Sequence, residues 1–227
     1  MKIAPILLCV TSFSVACGQT NASNSLPSTN SLPSTDTASP GDNPIVKILR
    51  PLGPYEKKPI TVELRLKEYE DDTFGPFALF KEASAAGIKQ GLDIPREWGQ
   101  GWGAYGERFA DDIAFNGVHH SIEFGIASFL HEDNRYFASG KTTTRGRTLH
   151  ALMSPFITHY ADGAAGFSIS NATGVVGAAF LTRSWEPGSE QSAGSMGRRV
   201  AFSFLATAAS NTFREFVPDL IRKFQQR

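Results

Sequence analysis

Gly103 to His131, GAYGERFADDIAFNGVHHSIEFGIASFLH, is the stretch whose reading decides the fold. Its small residues, Gly103, Gly106, Ala110, Ala114, Gly117, Ser121, Gly125 and Ser128, recur every three or four positions and stack on one face of a helix. A face of Gly, Ala and Ser lets another backbone approach closely, so this stripe is the expected surface on which other helices close. On the opposite side Asp112, Asn116, His119 and Glu123 form a narrow polar slit, with His120 just beside it. Phe115, Val118, Ile122, Ile126 and Phe129 fill one flank, and Phe109, Ile113 and Phe124 the other.

Working outward, Phe77–Gln90 reads as a helix opened by Gly75-Pro76 and closed by Gly91, with Ala83, Gly87 and Gly91 as a second small stripe to mate with the first. Ile60–Tyr69 alternates like a strand but also fits a helix. Thr61 as N-cap, and the lack of a hairpin partner, favour the helix. Between these and the central helix, Trp98, Gly99, Gly101, Trp102 and Gly103 form a compact loop, its indoles expected over the helix start. A Gly-rich loop before a helix can cradle phosphate. Here no strand precedes it and no Lys-Ser/Thr follows, so a structural turn is the reading.

Downstream, a helix restarts near Leu149, and Asp162-Gly163 marks a turn between Ile157/His159 and Phe167/Ile169 that fits a small hairpin. The uncharged stretch Gly163–Thr182 reads as a loop and then a buried helix over Asn171–Thr182, with Gly174 and Ala178 facing a neighbour. A last long helix runs from Gly194, with Gly197, Ala201 and Ala208 on one side, through a kink at Pro218. The pattern predicts an all-α fold: a single compact bundle of about six helices packed through small-residue stripes, with room for one small β-hairpin.

Lys plus Arg equals Asp plus Glu, 22 against 22, so no global charge attracts nucleic acid. The only two Cys are Cys9 and Cys17, near the N-terminus, which leaves the folded part without a disulfide, a Cys-based zinc site or a thiol nucleophile. Met1–Cys17 has one Lys, an apolar run and then small residues, the layout of a secretory signal and too short for a membrane span. Gly18 to about Asn43 is Ser/Thr/Asn/Pro-rich and repeats NSLPST at 24–29 and 30–35, which reads as a disordered spacer. Pro44–Pro59 is proline-rich and expected to be extended and loosely packed.

Ser14-Val15-Ala16-Cys17 resembles the lipobox of bacterial lipoproteins, with Ser14 where that pattern prefers Leu. The resemblance implies cleavage before Cys17 and its acylation, and Gly18 in place of Asp implies the outer membrane. Ordinary cleavage after Ala16 is the alternative. It leaves a lone thiol in an oxidising compartment, which favours acylation. Seven further strings resemble an uncharacterised family of exported bacterial helical proteins: Phe74-Gly-Pro-Phe, Pro95-Arg-Glu-Trp-Gly-Gln-Gly, Tyr105-Gly-Glu-Arg-Phe, His131-Glu-Asp-Asn-Arg-Tyr-Phe, Phe167-Ser-Ile-Ser-Asn, Arg183-Ser-Trp-Glu-Pro and Arg214-Glu-Phe-Val-Pro-Asp. That resemblance implies one coherent domain and assigns no activity.

The division expected is therefore a signal peptide over 1–16, a lipidated Cys17 and tether over 17–58, and a helical domain over 59–227. Three clusters carry candidate chemistry. Asp112, His119 and Glu123 offer carboxylate and imidazole ligands for a metal, or an acid–base relay. A water-facing helix edge accounts for the same residues. His131, with Glu132, Asp133 and Arg135, offers a half-site for His150 or His159, or simply a helix-capping network. Lys141, Arg145 and Arg147 offer a grip for phosphate or lipid headgroups, or a solvated loop. Ser154, Ser168 and Ser170 lack the context of a nucleophile elbow.

The reading that follows is an exported, lipid-anchored binding or structural module of the cell envelope, facing the periplasm from the outer membrane. It requires no cofactor, and an envelope protein or lipid is its partner. The alternatives are a metal-dependent or acid–base hydrolase using Asp112, His119, Glu123 and His131, and a helical module partly inserted in the bilayer through Gly163–Thr182 and Val200–Phe213.

Overall fold

The computed structural model describes residues 44–225; the signal-like segment, Cys17 and the NSLPST repeat lie outside the described residues. These form a mostly helical, compact fold. Six helices exceed a short turn: α2 (Val62–Phe74), α3 (Pro76–Gly91), α4 (Trp102–Leu130), α5 (Thr144–Met153), α6 (Ile169–Thr182) and α7 (Ala193–Gln225), preceded by the six-residue α1 (Pro44–Leu49). Between α5 and α6 stands one antiparallel hairpin, β1 (Ile157–His159) with β2 (Ala165–Phe167), in register Ile157 to Phe167 and His159 to Ala165. The helical class and the hairpin are those predicted from periodicity.

Local chemistry explains the boundaries. The Thr61, Thr143 and Ser168 hydroxyls accept the backbone N–H of Leu64, Gly146 and Asn171, capping α2, α5 and α6. At Gly75 a Cβ would lie 2.2 Å from the Asp71 carbonyl, so only glycine lets α2 pass directly into α3. The central helix ends where His131 adopts a left-handed conformation, its N–H bonded to the Ala127 carbonyl. Pro218 lies inside α7, which continues through it.

Two expectations are corrected at the level of packing. Residues 44–58, assigned to a loose tether, are packed: α1 lies on α7 with Val46 fully buried, and Tyr55 bridges to Phe137. The second correction concerns the closing face of α4. Gly103, Gly106, Ala110, Ser121, Gly125 and Ser128 are exposed, and a Cβ at Gly103, Gly106, Gly117 or Gly125 would meet no atom within 4 Å. Gly87 and Gly91 of α3 are equally open, and Trp102, expected to cover the helix start, is 89% exposed.

The face of α4 that packs is the polar one. Asp112, Asn116 and His119 are buried: α3 reaches Asp112 through Lys89, α2 takes Asn116 with its backbone carbonyls, and α6 rests on His119. Gly174 and Ala178 do face a neighbour, as their spacing predicts: a Cβ at Gly174 would stand 2.8 Å from His119 Cδ2 and 2.9 Å from the His119 carbonyl oxygen. Polar side chains can occupy a core only when their hydrogen bonds are met there. Here Asn116 donates to the Asp72 and Thr73 carbonyls, at 3.0 and 3.4 Å, and His119 bonds Asn171. Alongside, Phe115, Val175, Ala178 and Ala179 form a small apolar cluster with Val118, Met196, Val200 and Phe204 around it.

Large apolar side chains are correspondingly displaced outward. Phe80 and Ile88 on α3, Ile169, Val176 and Phe180 on α6, and Phe202, Leu205 and Phe213 on α7 are all exposed. Among the described residues no helix is long and apolar enough to cross a membrane.

Candidate functional site

A cavity of about 250 Å³ opens where α2, α3, α4, α6 and α7 converge, and its wall is rich in ionisable groups. Helix α2 brings Glu68 and Asp72, α3 brings Lys81 and Lys89, α4 brings Asp112, His119, His120 and Glu123, and α7 brings Arg199 and Arg214. The three sequence-predicted residues of the slit therefore line one chamber, but they do not meet as one ligand set.

Asp112 belongs to a charge network with Lys89. That lysine contacts Asp112 Oδ1 and stands 3.6 Å from Asp111. Asp111 in turn accepts Arg199 at 2.7 Å and the Trp185 indole N–H at 3.0 Å, and Arg199 also contacts Glu186. Asp112 Oδ2 is buried without a partner. Burial pushes the Asp112 carboxyl up to about 6 in spite of the opposing Lys89 charge. Between about pH 4 and that value the folded chain holds a proton the unfolded chain has lost, so stability falls as pH rises through this window. Asp112→Asn removes the dependence. Its unfolding free energy relative to the parent is expected to improve by on the order of 3 kcal/mol from about pH 4 to about pH 7 in paired denaturation curves. A pH-independent difference rejects the raised carboxyl.

His119, His120 and Glu123 do come together. Glu123 Oε2 lies 3.0 Å from His120 Nδ1 and 3.6 Å from His119 Nε2, and the two imidazoles stack with centroids 4.5 Å apart. Burial, then the neighbouring His120, push the His119 imidazole down to about 4, so it is neutral at physiological pH. Burial pushes Glu123 up, but the His120 hydrogen bond, the charges of both histidines and the Asn134 amide outweigh it and hold the carboxyl at about 2. Glu68, inside the same chamber, is driven the other way, by burial first and then by the charges of Asp72, Asp133 and Glu123.

The His131 cluster behaves as a capping network. Glu132 is fully buried and accepts the Ile169 N–H at 3.2 Å, the Ser170 N–H at 2.9 Å and the Ser170 hydroxyl, which neutralises the start of α6. Arg135 pairs with Asp133 at 2.7 Å and not with Glu132. His131 itself is exposed and does not line the cavity, and His150 and His159 stand elsewhere, against Tyr136 and Phe137. The hydrolase arrangement joining His131 to the slit is therefore not formed. Nor is the basic grip intact: Arg147 is committed to Glu215 at 3.0 Å and Asp219 at 2.6 Å, over the Phe216 ring.

One residue escaped the sequence reading. Arg108 is completely buried and donates to the carbonyls of Ile94 at 2.7 Å, Pro95 at 2.9 Å and Gly99 at 3.0 Å, as well as to Gln90. It holds the Gly-rich loop to the start of α4, which is the structural turn expected there, with arginine rather than tryptophan as its core. The signal was available: Arg108, Asp112, Phe115 and His119 share one helix face. Arg108, Glu132, Asn171, Glu186 and Glu215 supply much of the buried polarity of the described residues.

No protein-family model, no curated protein and no solved structure matches this chain.

Proposed function

We propose that the protein is an exported, lipid-anchored module of the bacterial cell envelope that rests against the bilayer and holds a small polar ligand in its central cavity. One observation carries this reading: ionisable side chains from several helices are gathered in the chamber, while a set of large apolar side chains on α6 and α7 stands exposed. A surface bathed only in water gains nothing from exposing Val176, Phe180, Leu205 and their neighbours, whereas such patches mark contact with membrane or protein. The outward residues of α6, and those of α7 between Arg199 and Arg214, carry no charge, which suits an acyl-chain boundary. Seating against one leaflet needs no spanning helix. A lipid on Cys17 would supply the second attachment that stable membrane residence requires.

Vesicle flotation of the full chain in a Cys17→Ala background separates the surface from the anchor. The chain is expected to float with phospholipid vesicles, and adding Val176→Ser, Phe180→Ser and Leu205→Ser should weaken binding by roughly a hundredfold or more, since each buried side chain contributes about 2 kcal/mol. Unchanged flotation of the triple-serine chain, or none by the Cys17→Ala parent, overturns the bilayer contact.

A further inference from the structure

We propose that His119, His120 and Glu123 form a binding site for a divalent first-row transition ion of the zinc class. The site deepens the chamber reading above and is independent of the bilayer contact. Three donor atoms, His119 Nε2, His120 Nδ1 and a Glu123 carboxylate oxygen, fall within 4.8 Å of one another. Ligands about 2.1 Å from a tetrahedral ion stand about 3.4 Å apart. The edges of 3.0 and 3.6 Å at Glu123 Oε2 bracket that spacing, and an ion seats between the three donors once the two stacked imidazoles turn their ring planes toward a common point. Two imidazoles and a carboxylate are the donor set of many open zinc sites, and the cavity leaves the remaining coordination positions accessible to water or a ligand.

Hydrogen atoms hold the place of the ion in the metal-free chain. The Asn171 amide nitrogen donates to the Pro155 carbonyl at 2.7 Å, which turns Asn171 Oδ1 toward His119 Nε2 at 3.0 Å. His119 Nε2 therefore carries a hydrogen, aimed at an oxygen acceptor, and His120 Nδ1 donates likewise to Glu123. On metal binding each neutral imidazole shifts its hydrogen to its other ring nitrogen and turns the freed lone pair to the ion, so no net proton need leave the protein. Asn171 Oδ1 is then left facing the ion.

The shell behind these ligands is already built. Asn134 donates to Glu123 Oε1 at 2.7 Å and to Ser170 Oγ at 2.7 Å, while accepting the Ser168 hydroxyl at 2.8 Å. That ties the carboxylate to the fully buried Glu132 at the start of α6. Such outer contacts orient metal ligands and tune their affinity.

The test is titration of the chelator-stripped, purified full chain with Co²⁺, read by its ligand-field absorption, followed by displacement with Zn²⁺. One equivalent is expected to bind with absorption typical of a low-coordinate nitrogen–oxygen site. His119→Ala or Glu123→Gln should weaken binding by more than a hundredfold, and Asn134→Ala by about ten- to a hundredfold. His131→Ala, outside both the ligand set and the chamber, should leave it unchanged. Circular dichroism identifies any variant that fails to fold, and the near-isosteric Glu123→Gln keeps the test open if His119→Ala does. Absence of stoichiometric uptake, or uptake indifferent to Glu123→Gln, or uptake lost in His131→Ala, overturns the site. Flotation without metal uptake leaves the bilayer contact standing and rejects this site alone; metal uptake without flotation does the reverse.

Discussion

Replacing Arg108 with methionine is expected to destabilise the fold by about 3–5 kcal/mol, the range seen when a buried charged group loses its partners or leaves them unpaired. The side chain is 0% exposed, and its guanidinium satisfies the carbonyls of Ile94, Pro95 and Gly99 together. Methionine preserves most of the aliphatic stem, so the loss isolates the hydrogen bonds rather than the packing. Arg108→Lys keeps the charge but not the planar fork and should recover less than half of the loss. Chemical denaturation gives the magnitude. Amide hydrogen exchange should show the damage concentrated between Asp93 and Tyr105. A loss below about 1 kcal/mol, or protection unchanged in that loop, rejects Arg108 as the residue that holds the turn.

Gly174→Ala tests how α6 rests on α4, and the expected sign runs against propensity. In an open helix alanine is more favourable than glycine by about 1 kcal/mol. At Gly174 the new methyl would stand 2.8 Å from His119 Cδ2, 2.9 Å from the His119 carbonyl oxygen and 3.2 Å from Glu123 Cβ. The backbone oxygen cannot turn aside, so the helices must separate. The cost is expected at about 1–3 kcal/mol, with Co²⁺ affinity falling because two of its ligands are displaced. Gly117→Ala, where a Cβ meets nothing within 4 Å, should be neutral or stabilising by up to about 1 kcal/mol. Thermal unfolding of the two variants side by side is decisive. A stabilised Gly174→Ala would mean that α6 does not lie on His119.

The candidate site was partly legible. His119 and Glu123 were identified from helical phase alone, because residues four apart on a helix necessarily share a face. His120, judged to stand beside the slit, proves to be a third donor, since an adjacent residue can swing its ring back onto Glu123. Asp112 lies on the same face, but Lys89, from another helix, takes its carboxylate. Asn171 and Asn134, which complete the surroundings of His119 and Glu123, are remote in sequence and carry no periodic signal linking them to α4.

By itself the sequence determined most helix boundaries, though it missed α1 and began α5 near Leu149 instead of Thr144. The Thr61 cap, the Gly75-Pro76 corner, the Asp162-Gly163 turn and the helical period of the Gly103–His131 stretch are local properties, settled by bonds and sterics within a few residues. Only tertiary structure decided which side of that helix faces inward. A stripe of small residues and a slit of polar residues are both compatible with close packing. The choice turns on whether distant partners satisfy the polar groups, and Asp72, Lys81, Lys89 and Asn171 do so. With those hydrogen bonds and ion pairs made, the polar face carries no desolvation penalty large enough to expel it, and the smooth face of glycine, alanine and serine is left outside.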